Sequence, residues 1–278
     1  MSAAAVIVAA GSGRRIGGEP KQFRMLGPAP LLAWSCHALA RNEGISELVV
    51  VVPPGVAVAP PDWLKGLCDT VVEGGPTRRD SVGLGLAALS GEHDTVLVHD
   101  GARPFLSAKL IGSVLEACRE GPAIPGLPLT DTVKLVGEGG LVLSTLDRDR
   151  LRAVQTPQGF PLELLRGLHE QSADDGPEAT DDAFLAEAVG IPVRIVSGDP
   201  LNLKVTTGAD LALAEWLVRR GIIGEEDLFF LLSRRLGAAA IPEERLAHLT
   251  VSPELRRRVP RTVAIDCVLL PLDLDHAH

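Results

Sequence analysis

The stretch AAVIVAAGSGRRIGGEPKQF, residues 4–23, carries the strongest indication of the fold. Its apolar run breaks at the glycines Gly11 and Gly13. Four cations then follow within eleven residues: Arg14, Arg15, Lys21 and Arg24. An apolar run that ends in glycines is typical of a buried strand followed by a loop. The sequence therefore predicts a strand over residues 5–10 and a positively charged loop directly after it.

Apolar runs and helical patterns alternate from this strand to about residue 120. Strands are predicted over residues 47–52, 69–73 and 95–100. Helices are predicted over residues 31–42, 80–90 and 108–120. Near-continuous apolar strands separated by helices indicate a mostly parallel sheet covered on both faces. The predicted fold class is thus α/β with a doubly wound, Rossmann-like sheet, whose ligands bind at the carboxyl ends of the strands.

The pattern changes after residue 121, where short strands surround Gly and Pro. GEGG at 137–140 predicts a hairpin turn, and residues 127–153 are predicted to form a protruding β-arm. Helical patterns return over 161–171 and 179–190. A strand at 193–198 then precedes a final helix at 208–221, where Thr207 and Asp210 match a capping box. We predict one domain over residues 1–220 and a C-terminal extension of unassigned role over 221–278.

Composition and charge limit the classes of function. The chain has 278 residues, of which 46% are hydrophobic, enough for one large or two small domains with a sizeable core. It carries 27 Lys and Arg against 36 Asp and Glu, for a formal net charge of −9. Nucleic acids and anionic membranes are therefore not expected as partners, since both require a broad basic surface. Any anionic ligand must be held by a local cluster of cations.

The cysteines and the N-terminal residues predict a cytoplasmic protein. Cys36, Cys68, Cys118 and Cys267 are far apart and lack the spacing of a zinc site, so buried thiols are expected. The first cation is Arg14, which does not fit the basic start of a signal peptide. No apolar run approaches the roughly 20 residues that span a bilayer.

The glycine turn after the first strand allows several interpretations. A dinucleotide-binding turn needs G-x-G-x-x-G and an acid after the second strand, but here the third glycine is Gly17 and the second strand ends in two prolines. A Walker A loop needs GK[ST], which is absent from this turn. The remaining functional interpretation is a turn whose backbone N–H groups meet a triphosphate, with Arg15 and Lys21 beside it. The structural alternative is an ordinary strand-to-helix turn with solvated charges.

Six further segments occur in order along the chain: GGPTRRDSV (74–82), VHDGARP (98–104), LPLTDTVK (127–134), LDRDRLRAVQTPQGF (146–160), ATDD (179–182) and LNLKVT (201–206). With the opening stretch they resemble the 2-C-methyl-D-erythritol 4-phosphate cytidylyltransferase family, within the sugar-nucleotidyltransferase superfamily. The resemblance covers residues 4–220. It implies a nucleotidyltransferase that uses CTP in the non-mevalonate isoprenoid pathway, with Mg²⁺ or another divalent cation as cofactor.

The resemblance also implies roles for individual residues. Arg15 and Lys21 would grip the triphosphate, and Arg148 and Lys204 complete the expected catalytic set. The expected nucleotide-binding residues are Ala9, Ala10, Gly11, Gly13, Gly75, Arg78 and Ser81. The expected methylerythritol phosphate-binding residues are Asp100, Arg103, Thr132, Arg148, Thr156, Thr180 and Lys204. Asp100 would also bind the metal.

The β-arm is expected to mediate a homodimer. In the family that the chain resembles, Thr132 and Arg148 of the arm reach into the partner subunit's site. Each implied residue also has a structural interpretation: Asp100 could serve a turn, Thr180 a helix N-cap, and the arginines near residue 150 a solvated surface. His37, His99, Cys36 and Cys118 are predicted to be structural.

The sequence differs from the family pattern at two points, and three alternative functions remain open. Leu201 stands where some family members carry a metal-binding aspartate, so the metal depends on Asp100 alone. The extension is shorter than the cyclase domain that is fused to this enzyme in some bacteria. The rivals are a ribitol 5-phosphate cytidylyltransferase, a non-catalytic nucleotide-binding subunit on the same fold, and, least favoured, a nicotinamide dehydrogenase.

Overall fold

The structure is a computed structural model that describes residues 2–11, 20–171 and 180–222. The expectations for Gly13 and Arg15, and for the extension from residue 223 onward, lie outside these residues. The strands are β1 (Ala3–Val8), β2 (Met25–Leu26), β3 (Ala29–Pro30), β4 (Ile45–Val52), β5 (Thr70–Glu73), β6 (Thr95–Asp100), β7 (Ala123–Pro128), β8 (Lys134–Val136), β9 (Val142–Thr145), β10 (Arg152–Val154), β11 (Gln158–Pro161) and β12 (Arg194–Ser197). The helices are α1 (Leu31–Ala40), α2 (Arg78–Ala87), α3 (Ala108–Ala117), α4 (Leu162–Gln171), α5 (Ala183–Ala188) and α6 (Gly208–Arg219).

The main sheet has eight strands in the described residues. Seven follow the order β10-β7-β11-β6-β1-β4-β5, and β12 also pairs with β7. The β1, β4, β5 and β6 pairings are parallel, as is β12 with β7, whereas β11 is antiparallel to both its neighbours. The predicted mostly parallel α/β sheet is thereby confirmed.

Helices cover both faces of this sheet. Ala5 and Ile7 of β1 contribute to one apolar cluster, which includes Leu32 of α1 and Val114 of α3. Ala4 and Val6, which point to the opposite face, belong to a second cluster with residues of α2, α4 and α5. This alternation along a buried strand is the doubly wound arrangement that the apolar runs predict.

Some elements begin or end at residues other than those predicted. The first strand was predicted over 5–10 but occupies Ala3–Val8, because β6 pairs with it from Thr95 opposite Ala3 to Asp100 opposite Val8. The helix predicted over 108–120 ends at Ala117 and continues as a 3₁₀ turn. The predicted capping box of Thr207 with Asp210 is confirmed at the start of α6.

The segment predicted as the β-arm begins and ends inside the main sheet. Leu127 of β7 lies opposite Ala153 of β10, so both ends of the 127–153 segment pair at the sheet. The strands β8 and β9 form a separate two-stranded sheet, joined around Glu138–Gly140 as the GEGG turn predicts. All residues of these two strands are exposed.

Two remaining expectations concern thiols and membranes. Cys36 and Cys118 are buried, as predicted, whereas Cys68 is only half-buried. Cys267 lies outside the described residues. Among the residues described, no helix combines the length and apolar character needed to cross a bilayer.

Candidate active site

A cluster of charges lies where β6 ends. Asp100, the last residue of β6, has Lys204 Nζ 2.7 Å from its Oδ2 atom. Arg78 Nε lies 3.7 Å from Oδ1, and Arg103 Nε lies 3.8 Å from Oδ2. Burial alone would raise the pKa of Asp100, but Lys204, Arg78 and Arg103 outweigh it and lower the pKa to about 2. Arg78 also bonds to the buried carboxylate of Asp182, so two carboxylates face three cations, and the remaining positive charge suits an anionic ligand.

Arg103 is fixed by the backbone of a distant segment. Its Nη1 atom donates to the Asn202 carbonyl at 2.8 Å, and Asn202 Nδ2 donates to the Thr156 carbonyl at 2.7 Å. The Val205 N–H donates to the Ala102 carbonyl at 2.8 Å, which holds the LNLKVT segment against the loop after β6. Among the described residues no hydrogen-bond partner reaches the buried Arg103 Nε. This atom lies 3.8 Å from Asp100 Oδ2, beyond hydrogen-bonding distance.

Thr156 and His99 hold the same loop through hydrogen bonds. The Arg103 carbonyl can only accept, so His99 donates to it through Nε2 at 3.1 Å. His99 is fully buried, and burial lowers its pKa to about 4. The neutral ring accepts the Thr156 hydroxyl proton at Nδ1, 3.1 Å away, while Thr156 Oγ1 accepts the Asp100 N–H at 3.0 Å. The prediction that His99 is structural is confirmed, and Thr156 lies at the cluster with its proton engaged by His99.

The glycines of the GGPTRRDSV segment permit close packing against the end of β1. A Cβ atom on Gly74 would lie 2.2 Å from the Ala10 Cβ, and one on Gly75 would lie 2.4 Å from the Asp80 Cβ. A side chain at Gly74 would force this loop away from Ala10, and one at Gly75 would collide with Asp80 of α2. The loop leads directly into α2, whose first residue is Arg78.

The start of α2 is held by its own side chains. Thr77 and Asp80 form a capping box, with each side chain accepting from the other's backbone N–H. Ser81 is buried, and its hydroxyl donates to the Thr77 carbonyl at 2.9 Å. Thus Gly75, Arg78 and Ser81 lie on one short unit next to Ala10.

Gln22 bonds to the backbone just after β1, a role that the sequence analysis missed. It lies in the 3₁₀ turn Lys21–Phe23 and is buried. Its Nε2 atom donates to the Ala9 carbonyl at 2.5 Å and to the Gly11 carbonyl at 3.0 Å. Lys21 is thereby tied to the end of β1 beside Ala9 and Gly11. The P-K-Q element of the opening stretch was the available signal for this residue.

A second missed group lies behind Arg78. Asp182, which precedes α5, accepts from Arg78 Nη1 at 2.8 Å and contacts His169 Nε2 at 3.2 Å. Gln158 of β11 accepts from the Asp182 N–H at 3.1 Å. Nothing in the local sequence indicates a contact between residues so far apart in the chain.

Other expected site residues lie outside the Asp100 cluster. Thr132 and Arg148 are exposed on the arm, where Arg148 Nη1 donates to the Thr130 carbonyl of the same chain. Thr180 is exposed at the start of the described segment that leads to α5. It is not the N-cap of α5, because that position is occupied by Asp182.

The side chains at the cluster restrict how a divalent cation could bind. No group of three or more His, Cys, Asp or Glu residues able to hold a metal occurs in the described ranges. Leu201 supplies no ligand atom, and the second carboxylate near the cluster, Asp182, is bonded to Arg78. Asp100 is therefore the acid that would bind a cation. Mg²⁺ is commonly bound by one or two carboxylates together with substrate phosphates and water. This donor set therefore fits Mg²⁺ when phosphates provide further ligands.

Comparisons with known proteins agree in one family. The family model described as "IspD: 2-C-methyl-D-erythritol 4-phosphate cytidylyltransferase" matches residues 3–220. The 2-C-methyl-D-erythritol 4-phosphate cytidylyltransferase of Streptomyces coelicolor is 44% identical over 236 residues, which cover 78% of this chain and 85% of that protein. The bifunctional enzyme IspD/IspF of Nitratidesulfovibrio vulgaris is 46% identical over 224 residues, which cover 76% of this chain. Because the match covers 56% of that protein, this chain spans about half the length of the bifunctional relative.

Solved structures give the same result. The crystal structure of the cytidylyltransferase from Thermus thermophilus is 41% identical, with a TM-score of 0.66, and the match covers 77% of this chain and 98% of that one. The 4-diphosphocytidyl-2C-methyl-D-erythritol synthase of Anaerococcus prevotii has a TM-score of 0.70 at 31% identity, covering 79% of this chain and 99% of that one. The chain therefore belongs to the 2-C-methyl-D-erythritol 4-phosphate cytidylyltransferase family.

Proposed function

We propose that this chain transfers the cytidylyl group of CTP to 2-C-methyl-D-erythritol 4-phosphate. A phosphate oxygen of the acceptor attacks the α-phosphorus of CTP, and the bond from that phosphorus to the leaving pyrophosphate breaks. The products are 4-diphosphocytidyl-2-C-methyl-D-erythritol and pyrophosphate. The observation that carries the proposal is the Asp100 cluster, where Lys204, Arg78 and Arg103 surround one buried carboxylate.

Both substrates are polyanions, so their approach requires concentrated positive charge. The acceptor phosphate is already an anion near neutral pH, and its attack needs no general base. The one histidine of the cluster, His99, is buried and engaged at both ring nitrogens, which is consistent with a reaction driven by positioning and electrostatics. The cations would stabilise the charge that develops on the α-phosphate during the transfer.

The nucleotide would bind along the end of β1 and the start of α2. Backbone groups of Ala9, Ala10 and Gly11 lie at the end of β1, where Gln22 bonds to the backbone. The side chains of Lys21 and Arg15, together with the backbone of Gly13, would contact the triphosphate. Gly75, Arg78 and Ser81 follow Gly74, which packs against Ala10, and they would enclose the cytidine.

The acceptor would bind on the other side of Asp100. Arg103 contributes positive charge beside Asp100, and Lys204 is half-exposed with its ammonium at the carboxylate. Thr156 and Thr180 would line the sugar. Asp100 would hold Mg²⁺ together with substrate phosphates, and the bound ion would neutralise phosphate charge during the transfer.

The arm would serve a partner subunit. Its exposed large apolar residues are Leu135, Val136, Leu141, Val142, Leu143 and Leu146. A two-stranded ribbon is marginal in isolation, and a twofold dimer supplies a surface if each arm packs on the other copy. Thr132 and Arg148 would then reach the partner's site. We therefore propose a homodimer through exchanged arms.

A substrate matrix tests this proposal. The purified protein is given Mg²⁺, each of CTP, ATP, GTP and UTP, and either methylerythritol phosphate or ribitol 5-phosphate, and pyrophosphate release is measured. We expect rapid release only with CTP and methylerythritol phosphate. Equal or faster turnover of ribitol 5-phosphate would assign the rival acceptor. CTP binding without pyrophosphate release from any pair would indicate a non-catalytic subunit.

A further inference from the structure

Arg78 is shared between two carboxylates at unequal distances. Its Nη1 atom lies 2.8 Å from Asp182 Oδ2, whereas its Nε atom lies 3.7 Å from Asp100 Oδ1. The first is a charged hydrogen bond and the second is a longer electrostatic contact. Although burial lowers the pKa of Arg78, Asp182, Asp100 and Asp181 raise it overall, so the guanidinium remains charged. Asp182 is thus the nearer partner of this cation.

Asp182 is itself held in place from three sides. Its side chain is 2% exposed, and His169 of α4 contacts its second oxygen at 3.2 Å. Gln158 Oε1 accepts from the backbone N–H groups of Asp182 and Ala183, at 3.1 and 3.3 Å. Gln158 Nε2 in turn donates to Asp181 at 2.8 Å. The carboxylate that binds Arg78 therefore has a fixed position relative to β11, α4 and α5.

Without Asp182, the nearest carboxylate to Arg78 would be Asp100. A buried cation that loses one partner moves toward the remaining opposite charge, because an uncompensated buried charge is costly. Arg78 would then form a direct ion pair with Asp100, which already contacts Lys204 at 2.7 Å. Both Arg78 and Asp100 would be less available to ligands.

We propose that Asp182 is a positioning residue that holds Arg78 away from Asp100 and so keeps both groups available to the nucleotide and its cation. The inference rests on the proposed function, because it assumes that Arg78 and Asp100 serve that reaction. His169 and Gln158 support Asp182 and contribute through it. None of these three residues needs to touch a substrate.

The position of Arg78 predicts a specific kinetic change in the Asp182→Asn variant. The Arg78–Asp100 pair would have to break before the nucleotide binds, but it would be broken already in the saturated enzyme. We expect the KM for CTP to rise about 10- to 100-fold, while kcat changes less than about threefold. Asp62→Asn is the matched control, since it removes an exposed carboxylate that pairs with Lys65, away from the cluster. It should change the KM less than about threefold.

A double-mutant cycle separates positioning from a general structural role. In an Arg78→Gln background, Asp182→Asn should not raise the KM further, because the side chain it positions is gone. A role in folding alone would instead lower kcat with the KM unchanged, in both backgrounds. That result would overturn the inference, as would a KM increase of equal size in both backgrounds.

Two measurements do not require turnover. Calorimetric binding of CTP with Mg²⁺ should weaken about 10- to 100-fold on Asp182→Asn, and not further when Arg78→Gln is already present. Thermal unfolding should show Asp182→Asn lowering Tm in the wild type but not in the Arg78→Gln variant, where the buried carboxylate has lost its cation. Failure of the wild type to release pyrophosphate would contradict the proposed function alone. Unchanged CTP binding and equal Tm losses in both backgrounds would contradict this inference.

Discussion

The Asp100 cluster and the β-arm differ in what surrounds them. In the cluster, Arg103 is buried and bonded to the Asn202 carbonyl, so the same chain supplies its support. On the arm, Leu141 and Leu143 are 72% and 64% exposed, and strands β8 and β9 pair only with each other. The first region is arranged by the fold of one chain, whereas the described residues provide no cover for the second. Family resemblance assigns site residues to both regions alike, and only the structure separates them.

The largest expected effect tests the cluster. Lys204→Ala removes the cation that contacts Asp100 most closely, at 2.7 Å. Loss of one donor that stabilises the transition state typically lowers kcat about 100- to 1,000-fold. We expect a loss of that size in pyrophosphate release, with the circular dichroism spectrum unchanged. Lys109→Ala on the surface of α3 is the control and should retain full activity.

A folded Lys204→Ala protein with near-normal kcat would place the reaction elsewhere. Its contact with Asp100 would then be a structural ion pair only. Burial and support within one chain would then not distinguish the residues that act in the reaction.

Much of the main sheet could be predicted because its signals are local. The buried strands β4 and β6 consist of nearly continuous apolar residues, and Thr95–Asp100 matches its prediction at both ends. By contrast, β7 contains Pro125 and β11 has four residues, so neither gives a clear strand pattern. Their antiparallel pairing, which places β11 between β7 and β6, depends on long-range contacts.

The residues of the candidate site also differ in how well the sequence predicts them. Asp100, Arg78, Arg103 and Lys204 stand in family segments, and the structure brings them together. Asp182 stands in such a segment too, but its bond to Arg78 spans 104 residues of sequence. A polar side chain in a polar stretch does not reveal whether it will be buried or which partner it will meet. Such supporting residues could not be assigned from one sequence.

A smaller effect is expected at the opposite end of the sheet. Glu47 is buried where β4 begins and accepts from Ser90, Gly91 and His93. Although burial raises the pKa of Glu47, these hydrogen bonds lower it from 4.5 to about 2. Because the folded-state pKa is lowered, this stabilisation is complete above about pH 4.5 and is lost as the pH falls toward 2.

The Glu47→Gln variant measures that contribution. Removal of a charged hydrogen-bond acceptor costs about 1–3 kcal/mol, which for a domain of this size lowers Tm by roughly 2–10 °C at pH 7. The Tm values of wild type and variant should converge between pH 5 and pH 2, and pyrophosphate release at 25 °C should be unchanged. A constant Tm difference across that range would show that the charge of Glu47 does not stabilise the fold.

The smallest expected effect concerns the extension. Every residue placed in the cluster precedes residue 221, and the family match ends at residue 220. Deleting residues 222–278 should therefore change kcat and KM less than about threefold, provided that the truncated protein stays soluble. A soluble, folded truncation without turnover would show that the extension completes the site.

A mixing experiment tests most directly whether the site of one chain is completed by the arm of its partner. Lys21→Ala disables a chain's own nucleotide site, and Arg148→Ala disables the arm that it would offer to its partner. The two nearly inactive proteins are mixed, dissociated and reassembled. Each heterodimer should contain one site with both defects and one with neither. Random pairing makes about half of the dimers mixed, so about a quarter of wild-type activity should return.

The control is each variant taken alone through dissociation and reassembly, which should regain nothing. If Arg148 acted within its own chain, every heterodimer site would retain one defect. If the arms are exchanged between subunits, we expect the mixture to recover about a quarter of wild-type pyrophosphate release. Mixed dimers detected by native mass spectrometry without recovered activity would contradict it.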